Sequence, residues 1–275
     1  MKTIFLVGNW KSGTTLAQFY LAKDKNIFNF FPDKTDKGDY DGTNFWMKYG
    51  CHIQHKKWGN YIRKEYFDRV DKQLIMSDLN NRFDDKCKFG LLKRPQFVLN
   101  IEFIKWLFDN NVHIIGIKRD LIPTVYSYIR ANKAWGQKDG FEIKIGLHPP
   151  KWINYIKSSV IEFAVWTYLY TEEIFKKYDM PVVKYEDICD KQNYARKQIS
   201  DIINYDLNIP YEKIKNLNDA YKTGTILVSR NRETCKGNLN IGSPSKIELP
   251  PLTNDEIKQI KDIYNKMKGS VDIRV

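Results

Sequence analysis

Short apolar runs alternate along this chain with longer stretches of helical type, and glycine, proline and polar clusters separate them. The apolar runs at 3–7, 89–93, 112–117 and 181–184 predict strands. Helices are expected over 14–23, 53–69, 96–109, 121–133, 151–178, 191–204, 210–221 and 253–268. Phe31 to Gly50, rich in Asp, Gly and Lys, and Trp135 to Pro150, ending in His148-Pro149-Pro150, read as loops. Strands alternating with helices imply a parallel sheet covered on both faces. Ligands of such sheets bind at the carboxyl ends of the strands, which is where those two loops would lie. No internal repeat and no second domain is visible. The whole of 1–275 is therefore expected to form a single three-layer α/β/α domain with a central parallel sheet.

Composition changes this picture little. At 275 residues the chain can bury a large core, and 42% apolar with 28% charged residues is ordinary for a globular protein. No run approaches the length of a membrane span. Met1-Lys2 followed by Thr3 to Val7 mimics a secretory signal, but Gly8 to Lys11 breaks it after too few residues. The expectation is a cytoplasmic protein with no membrane anchor. Four cysteines, Cys51, Cys87, Cys189 and Cys235, lack metal-ligand spacing and read as free thiols. The formal net charge is +12. The lysines are spread evenly, with no basic stripe interleaved with aromatics, so no nucleic-acid partner is expected. A highly anionic ligand accounts for part of the charge.

The chemistry begins at the N-terminus. Ile4 to Val7 form the first strand, Gly8 ends it, and Gly8 to Gly13 make a tight loop carrying Lys11 and Ser12. Thr14 and Thr15 then open a helix. Strand, glycine loop and helix N-terminus make a P-loop-like phosphate-binding loop, because backbone N–H groups and the helix dipole favour negative charge there. A nucleoside-triphosphate P-loop reads G-x-x-x-x-G-K-[ST]. Here both glycines keep that spacing, but Lys11 lies two residues before Gly13. A second constellation follows the strand at 112–117, where Lys118-Arg119-Asp120-Leu121 leads into a helix bearing Ser127. A guanidinium at the strand end and a hydroxyl two turns into the helix can converge on one phosphate.

Lys11-Ser12-Gly13-Thr14-Thr15 after a strand, with Arg119 and Ser127 eight residues apart, resembles the sulfotransferases that use 3′-phosphoadenosine 5′-phosphosulfate (PAPS). The resemblance runs in order over nearly the whole chain. It departs at Leu121, where the family usually has Pro; Pro123 lies two residues later. It implies that Lys11, Ser12, Gly13, Thr14 and Thr15 hold the 5′ end of the nucleotide, and that Arg119 and Ser127 hold its 3′-phosphate. It also implies that Arg232, Lys236 and Gly237, in the loop before the last helix, close over it. The donor would be PAPS, the product 3′-phosphoadenosine 5′-phosphate (PAP), and no metal would be required.

Lys93-Arg94-Pro95 stands where many members carry Lys-x-Pro, and reads equally as a solvated basic turn. The apolar strand Pro181-Val182-Val183-Lys184, followed by Tyr185-Glu186-Asp187, resembles the family's late core strand, and Tyr185-Glu186-Asp187 reads also as architecture. The general base is the least defined part. The His that phenol-modifying members carry after this Lys is absent. Carbohydrate-modifying members place a Glu shortly before an aromatic pair; Asp41 stands near that place, before Phe45-Trp46, and the strict spacing falls on Gly42. Asp41 is the first candidate base and His55 the second; an Asp before Gly is also an ordinary turn residue. The expected function is sulfuryl transfer to a hydroxyl or amine of a small-molecule or glycan acceptor. A P-loop small-molecule kinase and a non-catalytic nucleotide- or glycan-binding descendant are the alternatives.

Overall fold

In the computed structural model, which describes residues 1–31, 41–51, 61–134, 159–210, 251–271 and 273, five strands form one parallel sheet in the order β2-β3-β1-β4-β5. These are β1 (Lys2–Gly8), β2 (Ile27–Asn29), β3 (Phe89–Lys93), β4 (Val112–Lys118) and β5 (Val182–Lys184). The helices are α1 (Thr14–Leu21), α2 (Thr43–Lys48), α3 (Lys72–Arg82), α4 (Ile101–Leu107), α5 (Leu121–Ala134), α6 (Val160–Lys177), α7 (Tyr185–Asp190), α8 (Gln192–Ile203) and α9 (Asn254–Met267).

The strands alternate their apolar side chains between two cores. Phe5, Val7, Leu92 and Ile114 face a larger one shared with α4, α5, α6 and α9. Ile4, Leu6, Leu91, Ile115 and Ile117 face a smaller one shared with α1 and α8. A sheet covered on both faces has no polar side to alternate with, which is why the strands read as continuous apolar runs. This is the α/β/α sandwich expected from the alternation of elements.

The four predicted strands are present within a residue of their expected ends. Sequence patterning missed β2, a three-residue edge strand too short to carry a pattern, and α3. Only Ile75 and Leu79 of α3 are buried, one helical turn apart, so its apolar stripe is thin. Its start is fixed locally, by the Asp71 carboxylate accepting from the Leu74 N–H at 2.8 Å. The stretch expected as a loop at 31–50 contains α2. The helix expected at 53–69 is described only from residue 61, and over Lys64–Arg69 it is a 3₁₀ turn. The helix expected at 151–178 has a capping box at Ser159 and Glu162, and α6 begins at Val160. The helix expected at 210–221 lies outside the described residues.

Cys51 and Cys189 are buried free thiols whose pKa burial pushes up to about 12, whereas Cys87 is partly exposed. Thiolate is the reacting form, so peptide-resolved alkylation at pH 8 should modify Cys87 at least about tenfold faster than either buried thiol. Unfolding in guanidinium should level the three rates. Among the described residues no helix is long and apolar enough to cross a membrane.

Candidate functional site

Sheet register brings three chain segments to one edge. Leu6 of β1 pairs with Lys93 of β3, and Gly8 pairs with Ile117 of β4, two residues before Arg119. The Gly8–Gly13 loop therefore lies between the end of β3 on one side and the end of β4 on the other. Within it, Ser12 N donates to Asn9 O at 3.1 Å, closing a turn, and Gly13 O accepts from Ala17 N to start α1. Lys11 and Gly13 both have positive φ, 68° and 93°. Alternation across the left-handed region turns successive N–H groups to one side, the geometry of an anion nest. Lys11 bears that conformation without being glycine, the kind of local strain that collects at functional loops. Its ammonium lies 4.3 Å from the centre of the Trp10 ring. Ser12 is 2% exposed, and its hydroxyl has no hydrogen-bond partner among the described residues.

On the β4 side, Arg119 is 7% exposed and donates from Nη1 to Ser127 Oγ at 2.9 Å, so the pair spaced eight apart in sequence does meet. The Leu121 departure leaves this turn intact. Pro123 falls in the first turn of α5, where a missing N–H breaks no helical bond, and Thr124 N donates to Asp120 O at 3.1 Å. The Arg119 guanidinium also lies over the Tyr185 ring, 4.7 Å from its centre. The same ring fills the space beside Gly13, where an added Cβ would stand 2.8 Å from Cε2 and closer still to Cδ2. Tyr185 thus contacts both the loop and Arg119, and burial pushes its hydroxyl pKa upward. Glu186 adds a further tie, accepting from Asp120 N at 3.2 Å.

On the β3 side the basic turn is not solvated: Lys93 and Arg94 are each 1% exposed. The Lys93 ammonium donates to Thr15 Oγ1 at 3.1 Å and forms an ion pair with the Asp41 carboxylate. Arg94 Nη1 donates to Thr43 Oγ1 at 3.2 Å and to the Asp41 carbonyl at 3.4 Å. Asp41 is thereby fixed beside the start of α1. Gly42, where the strict family spacing would put a Glu, has φ 63°, and a Cβ there would stand 2.6 Å from Phe31 Cζ. A side chain there would be strained and would have to displace the Phe31 ring, and the carboxylate of this chain stands one residue earlier. Phe45 and Trp46 are core residues, packed on each other at 5.1 Å and on Phe97 and Phe5. His55, Arg232, Lys236 and Gly237 lie outside the described residues.

The edge therefore gathers Lys11, Ser12, Gly13, Thr14, Thr15, Asp41, Lys93, Arg94, Arg119 and Ser127. Together they form a P-loop-like arrangement at one edge of a parallel α/β sheet. No family model matches the chain, and no curated protein matches it by sequence. Solved structures similar to it include three sulfotransferases. The sulfotransferase domain from the curacin biosynthetic pathway is 14% identical, with 99% of this chain and 92% of that one covered and a TM-score of 0.45. The sulfotransferase domain from the Synechococcus PCC 7002 olefin synthase is 11% identical over 96% and 94%, with a TM-score of 0.43. Sulfotransferase STF9 from Mycobacterium avium is 11% identical over 100% and 78%, with a TM-score of 0.46. At these values the functional reading rests on the site's own residues.

Proposed function

We propose that this chain is a PAPS-dependent sulfotransferase acting on a hydroxyl or amine of a small-molecule or glycan acceptor. The observation that carries the reading is the pair of separate cationic or N–H-rich elements braced by one ring. The Gly8–Gly13 loop meets the Tyr185 ring at Gly13, and Arg119, bonded to Ser127, lies over the same ring. A nucleotide with phosphates at both its 5′ and 3′ ends needs two such elements; one with phosphate only at the 5′ end needs the loop alone. The orphaned, buried Ser12 hydroxyl fits an acceptor-rich anion in the loop.

PAPS supplies an activated sulfuryl group: its sulfur–oxygen bond to the 5′-phosphate breaks as a bond to the acceptor oxygen or nitrogen forms, and PAP leaves with the electron pair. The loop N–H groups, Ser12, Thr14 and Thr15 hold the 5′-phosphate, and Lys11 offsets the charge that grows on its leaving oxygen. Arg119 and Ser127 fix the 3′-phosphate and so the register of the nucleotide along the sheet edge. Asp41 takes the proton of the acceptor, and Lys93 and Arg94 hold it next to the loop.

Labelled sulfate should pass from PAPS to at least one member of a panel of glycans and small alcohols. Phosphoryl transfer from Mg²⁺-ATP without any sulfuryl transfer would overturn the reading in favour of a kinase. Binding of PAP without transfer to any acceptor would favour the non-catalytic alternative. In the binding step, Arg119→Ala should weaken PAP by more than about tenfold, the loss of a charge-assisted contact, while adenosine diphosphate changes little.

A further inference from the structure

Asn9 follows the glycine that ends β1, and its side chain is 3% exposed. Its Oδ1 accepts from the Tyr128 hydroxyl at 3.1 Å, and that hydroxyl accepts from Thr167 Oγ1 of α6 at 3.2 Å. Tyr128 is wholly buried, and its ring meets the Trp10 ring edge-on at 4.8 Å. The orientation of the Asn9 amide is thus set by two helices behind the loop. Its NH₂ group is left buried with no hydrogen-bond partner among the described residues. Such a group is costly to keep in a ligand-free protein, and it signals a missing acceptor. Ser12 Oγ, at the other end of the same turn, is in the same position. Two orphaned donors bracketing Lys11 call for a ligand that accepts hydrogen bonds through several oxygens and donates none.

We infer that Asn9 is a further ligand-binding residue, its Nδ2 donating to the tetrahedral oxyanion in the loop, with Tyr128 as its positioning residue. The ligand chemistry is a phosphoryl or sulfuryl group; that this group belongs to a PAPS-type nucleotide rests on the function proposed above. The arrangement also explains the placing of α5. Its successive residues Ser127 and Tyr128 serve the two ends of the site, one through Arg119 and the other through Asn9.

The test is calorimetric titration of the full chain with PAP and, separately, with pyrophosphate, together with ligand-free thermal melts. Asn9→Ala should weaken both ligands about five- to thirtyfold, and Tyr128→Phe by a smaller factor, with no matching fall in the ligand-free melting temperature. Asn9→Asp keeps the volume and the oxygen that Tyr128 contacts, and should abolish binding of both; it covers the case in which Asn9→Ala does not fold. Unchanged affinities in Asn9→Ala would overturn the assignment, as would a lower melting temperature with affinities intact. Wild-type protein that binds pyrophosphate in an Asn9-dependent manner, and PAP no better, would uphold Asn9 and overturn the nucleotide. Binding of neither anion by wild type would overturn both.

Discussion

Gly13→Ala is expected to abolish measurable PAP binding and to destabilise the protein by about 2–5 kcal/mol, the sum of two separate costs. The backbone at Gly13 is left-handed at φ 93°, a conformation that costs an alanine about 1–2 kcal/mol. The new methyl group would also press into the Tyr185 ring, which is 2% exposed and has Arg119 over its face. Overpacking of this kind typically costs a further ~1–3 kcal/mol, the shift of the ring included. Any shift of Tyr185 displaces Arg119, so the substitution should damage the 3′ side of the site as well as the loop. Gly50 supplies the control. It too has positive φ, 69°, but nothing among the described residues stands within 4 Å of an added Cβ. Gly50→Ala should therefore cost only the backbone part, about 1–2 kcal/mol, and leave PAP affinity unchanged. Urea unfolding and calorimetry on the two variants separate the effects. Equal behaviour of the two would show that Tyr185 does not brace the loop.

Lys93→Met should lower kcat/KM for sulfuryl transfer by about a hundredfold or more, by removing a charge that holds the base and faces the loop. Methionine preserves volume in a position that is 1% exposed, so packing changes little. What is lost is the ion pair to Asp41 and the hydrogen bond to Thr15. Breaking a buried pair costs about 3–5 kcal/mol. Asp41 is 26% exposed, so water regains part of its charge, and about 1–3 kcal/mol is the expected loss of stability. Adding Asp41→Asn removes the stranded carboxylate and should restore most of the stability while leaving activity low. Recovery of activity in the double variant would remove Asp41 from the mechanism and leave the pair as a structural element.

How much of this could be read beforehand follows the distance over which each feature is encoded. The Gly8–Gly13 loop and the Arg119–Ser127 pair are each contained in one strand, one turn and the start of one helix, and both stand where the pattern placed them. Lys93 and Arg94 were ambiguous because their burial depends on sheet order. β3 pairs directly with β1 although β2 lies between them in sequence, and that pairing sets a basic turn against the phosphate loop. Asp41 was nearly invisible for a related reason. Nothing near it in sequence says that residues fifty positions later hold it, or that Phe31 crowds a side chain at Gly42. Phe45-Trp46, the aromatic pair that marks the place of Asp41 in the sequence, is itself core. Tyr185 looked architectural, and it is; its architecture is a contact with both the loop and Arg119. Asn9 carried no motif, and only its orphaned amide marks it.

The central claim is that the sheet edge reads both ends of one nucleotide, and affinity for the 3′-phosphate tests it most directly. Titration of the wild-type chain with PAP and with adenosine 5′-monophosphate, which lacks only that phosphate, isolates the contribution of Arg119 and Ser127. The account predicts that PAP binds at least about tenfold tighter, the value of one charge-assisted phosphate contact. Equal affinities would contradict it.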